Sequence, residues 1–263
     1  MSQLDRERVL SHIKGNVEKQ VLQRVVDTAE QVMRDHKTRV TDFLDPYHSA
    51  LAEDILIGIK EINFDLNGGY EEAERKRIAI TPEYAQPSRE DFGFCLGAAT
   101  SGSKEKLNHR DYLGSLLGTG LRREKVGDLL IFPNECQFVV DSGIFDYLQL
   151  HWEQVGKSSV EIKLLSTEQW KIPEVKIDIL NFTVPSLRFD AVAAQGFGLS
   201  RGKLNSMLNG EKLRLNWRPV TNPSQAVAEG DIISFRGYGR ILLSQIKGKT
   251  KKGRILLELK RYR

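Results

Sequence analysis

The stretch Gly198-Leu199-Ser200-Arg201-Gly202-Lys203-Leu204-Asn205-Ser206-Met207-Leu208-Asn209-Gly210, followed by Glu211-Lys212-Leu213-Arg214-Leu215-Asn216-Trp217-Arg218-Pro219, decides the fold of the C-terminal third. Ser200 has the side chain of an N-cap, and Leu204, Met207 and Leu208 fall on one face of a helix from Arg201 to Asn209 that Gly210 ends. Lys212 to Asn216 alternates at the period of a strand. Leu213 and Leu215 turn inward, while Lys212, Arg214 and Asn216 turn outward. Trp217-Arg218-Pro219 bends the chain into Val220. Upstream, Leu187 to Gln195 reads as a helix ended by Gly196. Downstream, turns at Asn222-Pro223 and Gly230-Asp231 separate strands at Ile232–Phe235, Gly239–Ser244 and Arg254–Lys260.

This arrangement places cations in a pattern. A helix start at Ser200 carries Arg201 and Lys203 beside it, the next strand shows Lys212, Arg214 and Asn216, and Trp217 and Arg218 follow. A helix N-terminus suits a phosphate, arginine forks onto phosphate or stacks on bases, and tryptophan stacks on an unpaired base. Any one of these cations read alone is a solvated charge, and Trp217 alone is a turn-packing residue; the set together points to a polyanion. The charge distribution agrees. Residues 183–263 hold 16 Lys+Arg against 5 Asp+Glu, whereas residues 1–182 hold 23 against 30. A basic module on a mildly acidic body is the electrostatic footprint of nucleic-acid binding.

Working toward the N-terminus, residues 167–182 read as a connector containing Pro173. Residues 77–166 alternate strands and helices: strands at Arg77–Thr81 and Gly93–Ala99, a helix at His109–Leu117, strands at Asp128–Phe132 and Gln137–Asp141, a helix at Phe145–Val155, and a strand at Val160–Leu165. The order contains β-α-β-β-α-β, which predicts a ferredoxin-like (RRM-like) middle domain. Residues 1–76 predict a helical or α+β module. Leu4, Val9, Leu10 and Ile13 mark a short helix, and Asn16 caps a second one carrying Val21, Leu22, Val25, Ala29 and Val32. A third runs from about Tyr47 to Leu56, followed by a strand over Ile57–Phe64 and a turn at Gly68-Gly69. The expected class is α+β with three domains, at 1–76, 77–166 and 183–263.

Four strings in the last block carry a family likeness: Arg188-Phe189-Asp190-Ala191-Val192-Ala193, Gly198-Leu199-Ser200-Arg201-Gly202-Lys203, Lys212-Leu213-Arg214-Leu215-Asn216, and Gly230-Asp231-Ile232-Ile233. They resemble the S4 RNA-binding domain. The resemblance implies that the helix pair and following strand form the RNA-binding surface, which implicates Arg188, Ser200, Arg201, Lys203, Lys212, Arg214 and Asn216. Phe189 stands where leucine is common, and Gly202 where arginine is frequent. Thr41-Asp42-Phe43-Leu44-Asp45-Pro46, Gly68-Gly69-Tyr70 through Arg77, and His109-Arg110-Asp111-Tyr112-Leu113-Gly114 extend the likeness over nearly the whole chain, to the YlmH family of bacterial S4-domain proteins. That resemblance implies association with the large ribosomal subunit, ribosomal RNA and tRNA as partners, and a role with stalled subunits that still hold peptidyl-tRNA. It also implies a link to cell division.

Other constellations carry less. Lys104, Lys106, His109, Arg110, Arg122, Arg123 and Lys125 cluster around one predicted helix and suggest a second RNA contact. Gly68-Gly69-Tyr70 with Arg75-Lys76-Arg77 suggests a third, against the plainer reading of a turn and a solvated basic segment. His109-Arg110-Asp111 has the spelling of a kinase catalytic loop, but Leu116 stands where that loop needs Asn. The better reading is a helix capped by Asn108, with Asp111 in its first turn. Gly114–Gly120 lacks the P-loop lysine pattern, and histidines at 12, 36, 48, 109 and 151 have no metal-ligand spacing. Two cysteines, Cys95 and Cys136, sit in apolar stretches and predict a reducing compartment. No run approaches the roughly 18 apolar residues of a membrane span. The expectation is a non-catalytic cytoplasmic RNA-binding protein without cofactor, metal or evident small-molecule substrate. The rivals are an RNA-modifying enzyme with an S4 targeting domain and a cell-division adaptor.

Overall fold

The computed structural model describes Leu10, Ile13 and residues 15–102, 106–174, 176–208 and 212–262. The predicted first helix lies largely outside these residues. The chain forms two compact units, Met1–Pro173 and Glu174–Arg263, mixed in α and β and built on antiparallel sheets.

The first unit begins with α1 (Asn16–Asp35), whose Leu22, Val25, Val26, Ala29 and Val32 recur at helical spacing and are buried. The cap is Gly15, in extended conformation, so Asn16 is the first helical residue rather than the cap. After β1 (Arg39–Val40), α2 (Pro46–Leu56) starts with Pro46, whose missing N–H costs nothing in the first turn, and Asp45 accepts a hydrogen bond from the His48 N–H. The helix retains Leu56, and the next strand, β2 (Ile62–Asn67), starts five residues later than predicted. Asn67 Oδ1 accepts from the Gly69 N–H, and Gly69 takes a φ of 101°. β3 (Arg77–Pro82) lies between β1 and β2 and is buried along its whole length. Ile78 and Ile80 of β3 pack with Leu22, Val26 and Ile55 of the helices.

The same unit continues with β4 (Phe94–Ser101), α3 (His109–Gly118), β5 (Val126–Ile131), β6 (Glu135–Asp141), α4 (Phe145–His151), β7 (Gln154–Val155) and β8 (Ser158–Leu165). The strands form a sheet of order β5-β6-β4-β8-β7, antiparallel throughout. Alternate residues Cys136, Phe138 and Val140 pack under Tyr112 and Leu116 of α3 and Phe145 and Leu148 of α4. α4 is four residues shorter than predicted. Trp152 is 1% exposed and donates from its indole nitrogen to Ser115 Oγ at 3.0 Å, and the chain then turns into the β7–β8 hairpin.

The second unit holds β9 (Ile177–Val184), α5 (Phe189–Phe197), α6 (Arg201–Ser206), β10 (Leu213–Leu215), β11 (Arg218–Pro219), β12 (Ile232–Phe235), β13 (Gly239–Lys249) and β14 (Ile255–Tyr262). Its sheet has order β11-β10-β12-β13-β14-β9. Part of the predicted connector is therefore a strand, with Leu180, Phe182 and Val184 opposite Leu259, Leu257 and Ile255 of β14. α5 runs through Gly196 and ends at Gly198, which takes a φ of 68°. Gly196 is there for packing: a Cβ would meet Ile241 Cδ1 at 2.4 Å and Leu259 Cδ1 at 2.8 Å. Phe189, Val192, Leu204, Leu213, Phe235, Ile241 and Leu257 are buried in the core between helices and sheet.

Candidate nucleic-acid interface

Arg188 caps α5 and Arg201 opens α6; between them lies Asp190, its side chain 2% exposed. Asp190 accepts from Arg188 Nε and Nη2, both at 3.2 Å, and from Arg201 Nη2 at 2.5 Å. Burial alone would raise this carboxyl, but the two guanidiniums outweigh it and hold it below the ordinary carboxylate range. Two cations share one anion, so the cluster keeps a net positive charge, and both arginines stay nearly half exposed. Their planes are fixed by a carboxylate that water does not reach, which preorganises the remaining donors. Ser200 Oγ accepts from the Lys203 N–H at 3.2 Å, the N-cap bond expected of it, and α6 is a short helix of six residues. Lys203 itself is exposed.

β10 and β11 form a hairpin whose two-residue turn is Asn216-Trp217, at φ of 48° and 64°. Both signs are those of a type I′ turn, which Asn tolerates and which strains a bulky residue such as Trp. The strand alternation predicts that Asn216 faces a ligand. Instead its side chain donates to Asp231 Oδ1 and accepts from the Ile232 N–H, each at 2.8 Å, locking the turn to the next hairpin. Opposed residues of antiparallel strands share a face. Arg214 opposes Ser234, and Ser234 opposes Arg240, so the two arginines stand on one side of the sheet. The Arg240 guanidinium lies 5.7 Å from the centre of the Trp217 ring, and Arg214 Nη1 donates to the Trp217 carbonyl at 3.3 Å. Lys212, Arg214 and Arg218 are exposed and Trp217 half-buried. The predicted set thus resolves into two groups, Arg188 with Arg201 about Asp190, and Arg214 with Trp217 at the hairpin. Sequence reasoning misses Arg240 and Asp190. Arg240 is hidden as one charge in an apolar strand, and Asp190 gives only the proximity of two arginines as a signal.

In the first unit, four cations of the predicted second and third contacts act as struts. Arg77, 4% exposed, donates to the carbonyls of Thr41 at 2.7 Å and Gly93 at 2.6 Å and to Asp141 at 3.3 Å. Arg75 donates to the carbonyls of Val126 and Phe43 at 3.0 and 2.8 Å. Asp128 accepts from the Tyr70 hydroxyl and from the Glu74 and Arg75 N–H groups. Arg123 donates to the carbonyls of Val126 and Gly127, and burial pushes its guanidinium down to about 10. Lys125 bridges Asp42 at 2.8 Å and Asp141 at 3.0 Å. These four cations satisfy backbone carbonyls and carboxylates that would otherwise be buried unpaired. Of the rest, Lys104 lies outside the described residues, Lys106, His109 and Arg110 are exposed, and Arg122 is exposed and 3.5 Å from Glu124. Partial desolvation, then Arg123, hold His109 below its ordinary value. Asn108 and Asp111 form the expected capping box on α3.

The helix-free face of the middle sheet is covered over β4 and β6, while Glu161 and Lys163 of β8 on the same face stay exposed. Leu96 and Val139 on that face pack against Phe43, with Trp170 alongside and Tyr70 5.5 Å from Trp170 between ring centres. Added Cβ atoms at Gly69 and Gly127 would meet Val139 at 3.3 and 3.0 Å. A sheet that stacks bases must show that face to solvent; here Val139 is 0% and Gln137 2% exposed. Among the described residues no group of His, Cys, Asp or Glu side chains could hold a metal ion, and no helix is long and apolar enough to cross a membrane.

Antiparallel sheets with packed helices, carrying cations fixed at the surface, define a modular protein of mixed α and β structure. Residues 87–169 match the family described as "Putative RNA-binding domain in YlmH", and residues 17–85 match "YlmH, N-terminal". The "Ribosome-associated protein quality control protein P2" of Bacillus subtilis (strain 168) is 36% identical over 222 residues, 84% of this chain and 86% of that one. A solved structure, "Cell division protein ylmH from Streptococcus pneumoniae", shares the fold with a TM-score of 0.54 at 20% identity, covering 61% of this chain and 97% of its own. The chain belongs to the YlmH family.

Proposed function

We propose that this protein is a non-catalytic RNA-binding factor that acts on the ribosome in the cytoplasm. Its targets are ribosomal RNA and tRNA on a large subunit undergoing quality control of stalled peptidyl-tRNA. The name of the Bacillus subtilis relative supports the ribosomal setting. The observation that carries the reading is the hairpin of the second unit, where Arg214 and Arg240 share a sheet face beside a strained, half-buried Trp217. Phosphates would pair with the cations and an unpaired base would stack on the indole. We read the second unit as the S4-type module, at 174–263. The middle strands, with α3 and α4 on one face, are read as a ferredoxin-like module of about residues 87–169. We read the N-terminal module as reaching about residue 85, past the expected bound at 76; the place of β3 in the first sheet supports this.

The test uses Lys203→Glu with Arg214→Glu, two exposed cations that hold no buried carboxylate. Cosedimentation with purified large subunits should be lost while the circular dichroism spectrum is unchanged. Cosedimentation at the wild-type level would reject this surface.

A further inference from the structure

We infer that the tip of the β13–β14 hairpin is a separate RNA contact, one that grips the phosphate backbone of a folded RNA helix without reading sequence. The inference rests on the RNA-binding reading above. From Lys247 to Leu257 the chain runs Lys-Gly-Lys-Thr-Lys-Lys-Gly-Arg-Ile-Leu-Leu, with five cations and no acid. Two of the five are anchors. Lys247 binds Glu258 at 2.7 Å and Asn181 at 2.8 Å, and Arg254 donates to Thr183 Oγ1 at 2.9 Å and to the Thr183 carbonyl at 2.6 Å. They tie the hairpin to β9. The other three, Lys249, Lys251 and Lys252, are exposed, and no hydrogen bond or ion pair engages their side chains among the described residues.

The tip is ordered by its own backbone. The Thr250 N–H donates to the Arg254 carbonyl at 2.7 Å, the Gly253 N–H to the Thr250 carbonyl at 2.9 Å, and the Arg254 N–H to Thr250 Oγ1 at 3.1 Å. Register shifts at Leu243/Gln245 and Ile246/Gly248 bend the ribbon, as bulges do where a strand is re-aimed. Three like charges lie within four residues of one closed turn, where repulsion reaches over a Debye length of about 8 Å, and no acid at the tip relieves them. Glu229 and Glu258 are engaged at the hairpin's base with the Ile246 N–H and Lys247. A polyanion supplies the missing counter-charge, at low entropic cost because the turn is already closed. The tip from Gly248 to Arg254 has no apolar side chain to insert among lipids, which favours RNA over a membrane surface.

The test places Lys249→Gln, Lys251→Gln and Lys252→Gln together in the full chain. Anisotropy titrations with a synthetic stem-loop RNA and with purified ribosomal RNA are run over a range of salt concentrations. Each phosphate that a lysine no longer neutralises takes about 0.7–0.9 off the slope of log affinity against log salt, so three should lower it by about 2–3. The melting curve should be unchanged, and the triple Lys→Arg variant should keep the wild-type slope. An unchanged slope in the Gln variant, while the Lys203→Glu/Arg214→Glu protein loses affinity, would overturn the hairpin contact and leave the RNA-binding reading standing. Loss of binding to anionic phospholipid vesicles without loss to RNA would overturn it in favour of a membrane. A wild-type chain with no affinity for either RNA would overturn both readings.

Discussion

Replacing Arg77 with Ala removes the guanidinium that joins β1, the turn before β4 and the end of β6. The side chain is 5% exposed and gives one hydrogen bond each to the carbonyls of Thr41 and Gly93. Hydrogen bonds from a charged donor contribute about 1.5–3 kcal/mol each, so the two sum to about 3–6 kcal/mol. The contact to Asp141 is longer, at 3.3 Å, and Lys125 still holds that carboxylate in the variant, so this pair adds little. The guanidinium also lies 5.4 Å from the Phe43 ring centre, a cation–π contact of about 0.5–2 kcal/mol. Partial relaxation and water entry offset some of this, and the expected cost is about 3–5 kcal/mol, the range for breaking a buried ion pair from one side. The assay is urea unfolding followed by tryptophan fluorescence in a Trp217→Phe background, where Trp152 and Trp170 report on the first unit. RNA affinity of the folded variant should match its parent. A stability change below about 1 kcal/mol, the size of a surface ion pair, together with weakened RNA binding, would show that Arg77 is a ligand-facing cation and that the strut argument is wrong.

Asp190→Asn should flatten the acid limb of stability. The folded-state pKa of Asp190 is depressed, so its contribution is present above about pH 4 and lost as pH falls through the folded value; urea midpoints across that window check it. Gly196→Ala should destabilise the second unit by about 1–3 kcal/mol through overpacking against Ile241 and Leu259, less up to about 1 kcal/mol of improved helix propensity. Thermal melting is the measurement, and a rise in midpoint would refute the close-packing account. Trp217→Gly should keep stability within about 1 kcal/mol, because relief of the left-handed backbone offsets the missing ring packing. RNA affinity should fall about five- to 150-fold, the equivalent of a stacked base worth about 1–3 kcal/mol.

What can be read from the sequence is set by local periodicity and by turn chemistry. The 3.6-residue spacing of Leu22, Val25, Val26, Ala29 and Val32 gives α1, and Asn108 with Asp111 gives the start of α3. Boundaries fail where a tertiary demand overrides a local signal. Gly196 looks like a helix stop because glycine usually ends helices, yet it serves the approach of α5 to β13 and β14. β9 reads as linker although Leu180-Asn181-Phe182-Thr183-Val184 alternates, because the exposed Ile177 and Ile179 break the pattern at its start. Trp152 and Gly156 likewise end α4 early by tying the chain into a hairpin that no periodicity marks.

The candidate site is harder to read because an arginine has two possible fates that composition does not separate. On a surface it is a phosphate ligand; near buried carbonyls it is the donor that lets a polar seam close. Arg75, Arg77 and Arg123 take the second fate because the modules of the first unit meet through backbone, at Thr41, Phe43, Gly93, Val126 and Gly127, whose carbonyls need partners, and Lys125 joins Asp42 to Asp141 there. Closing that seam also covers the β4–β6 part of the helix-free face of the middle sheet, so Leu96, Gln137 and Val139 are not open to bases there. The RNA contacts proposed for this module keep the exposed cations near the start of α3, Lys106 and Arg110, and Arg122 beyond its end. Those contacts are to solvated side chains on one helix and its flanking loop, suited to phosphate rather than to base edges. In the second unit the Trp217 ring and the Arg240 guanidinium stand together, and the proposal of a base-stacking contact rests on that pair.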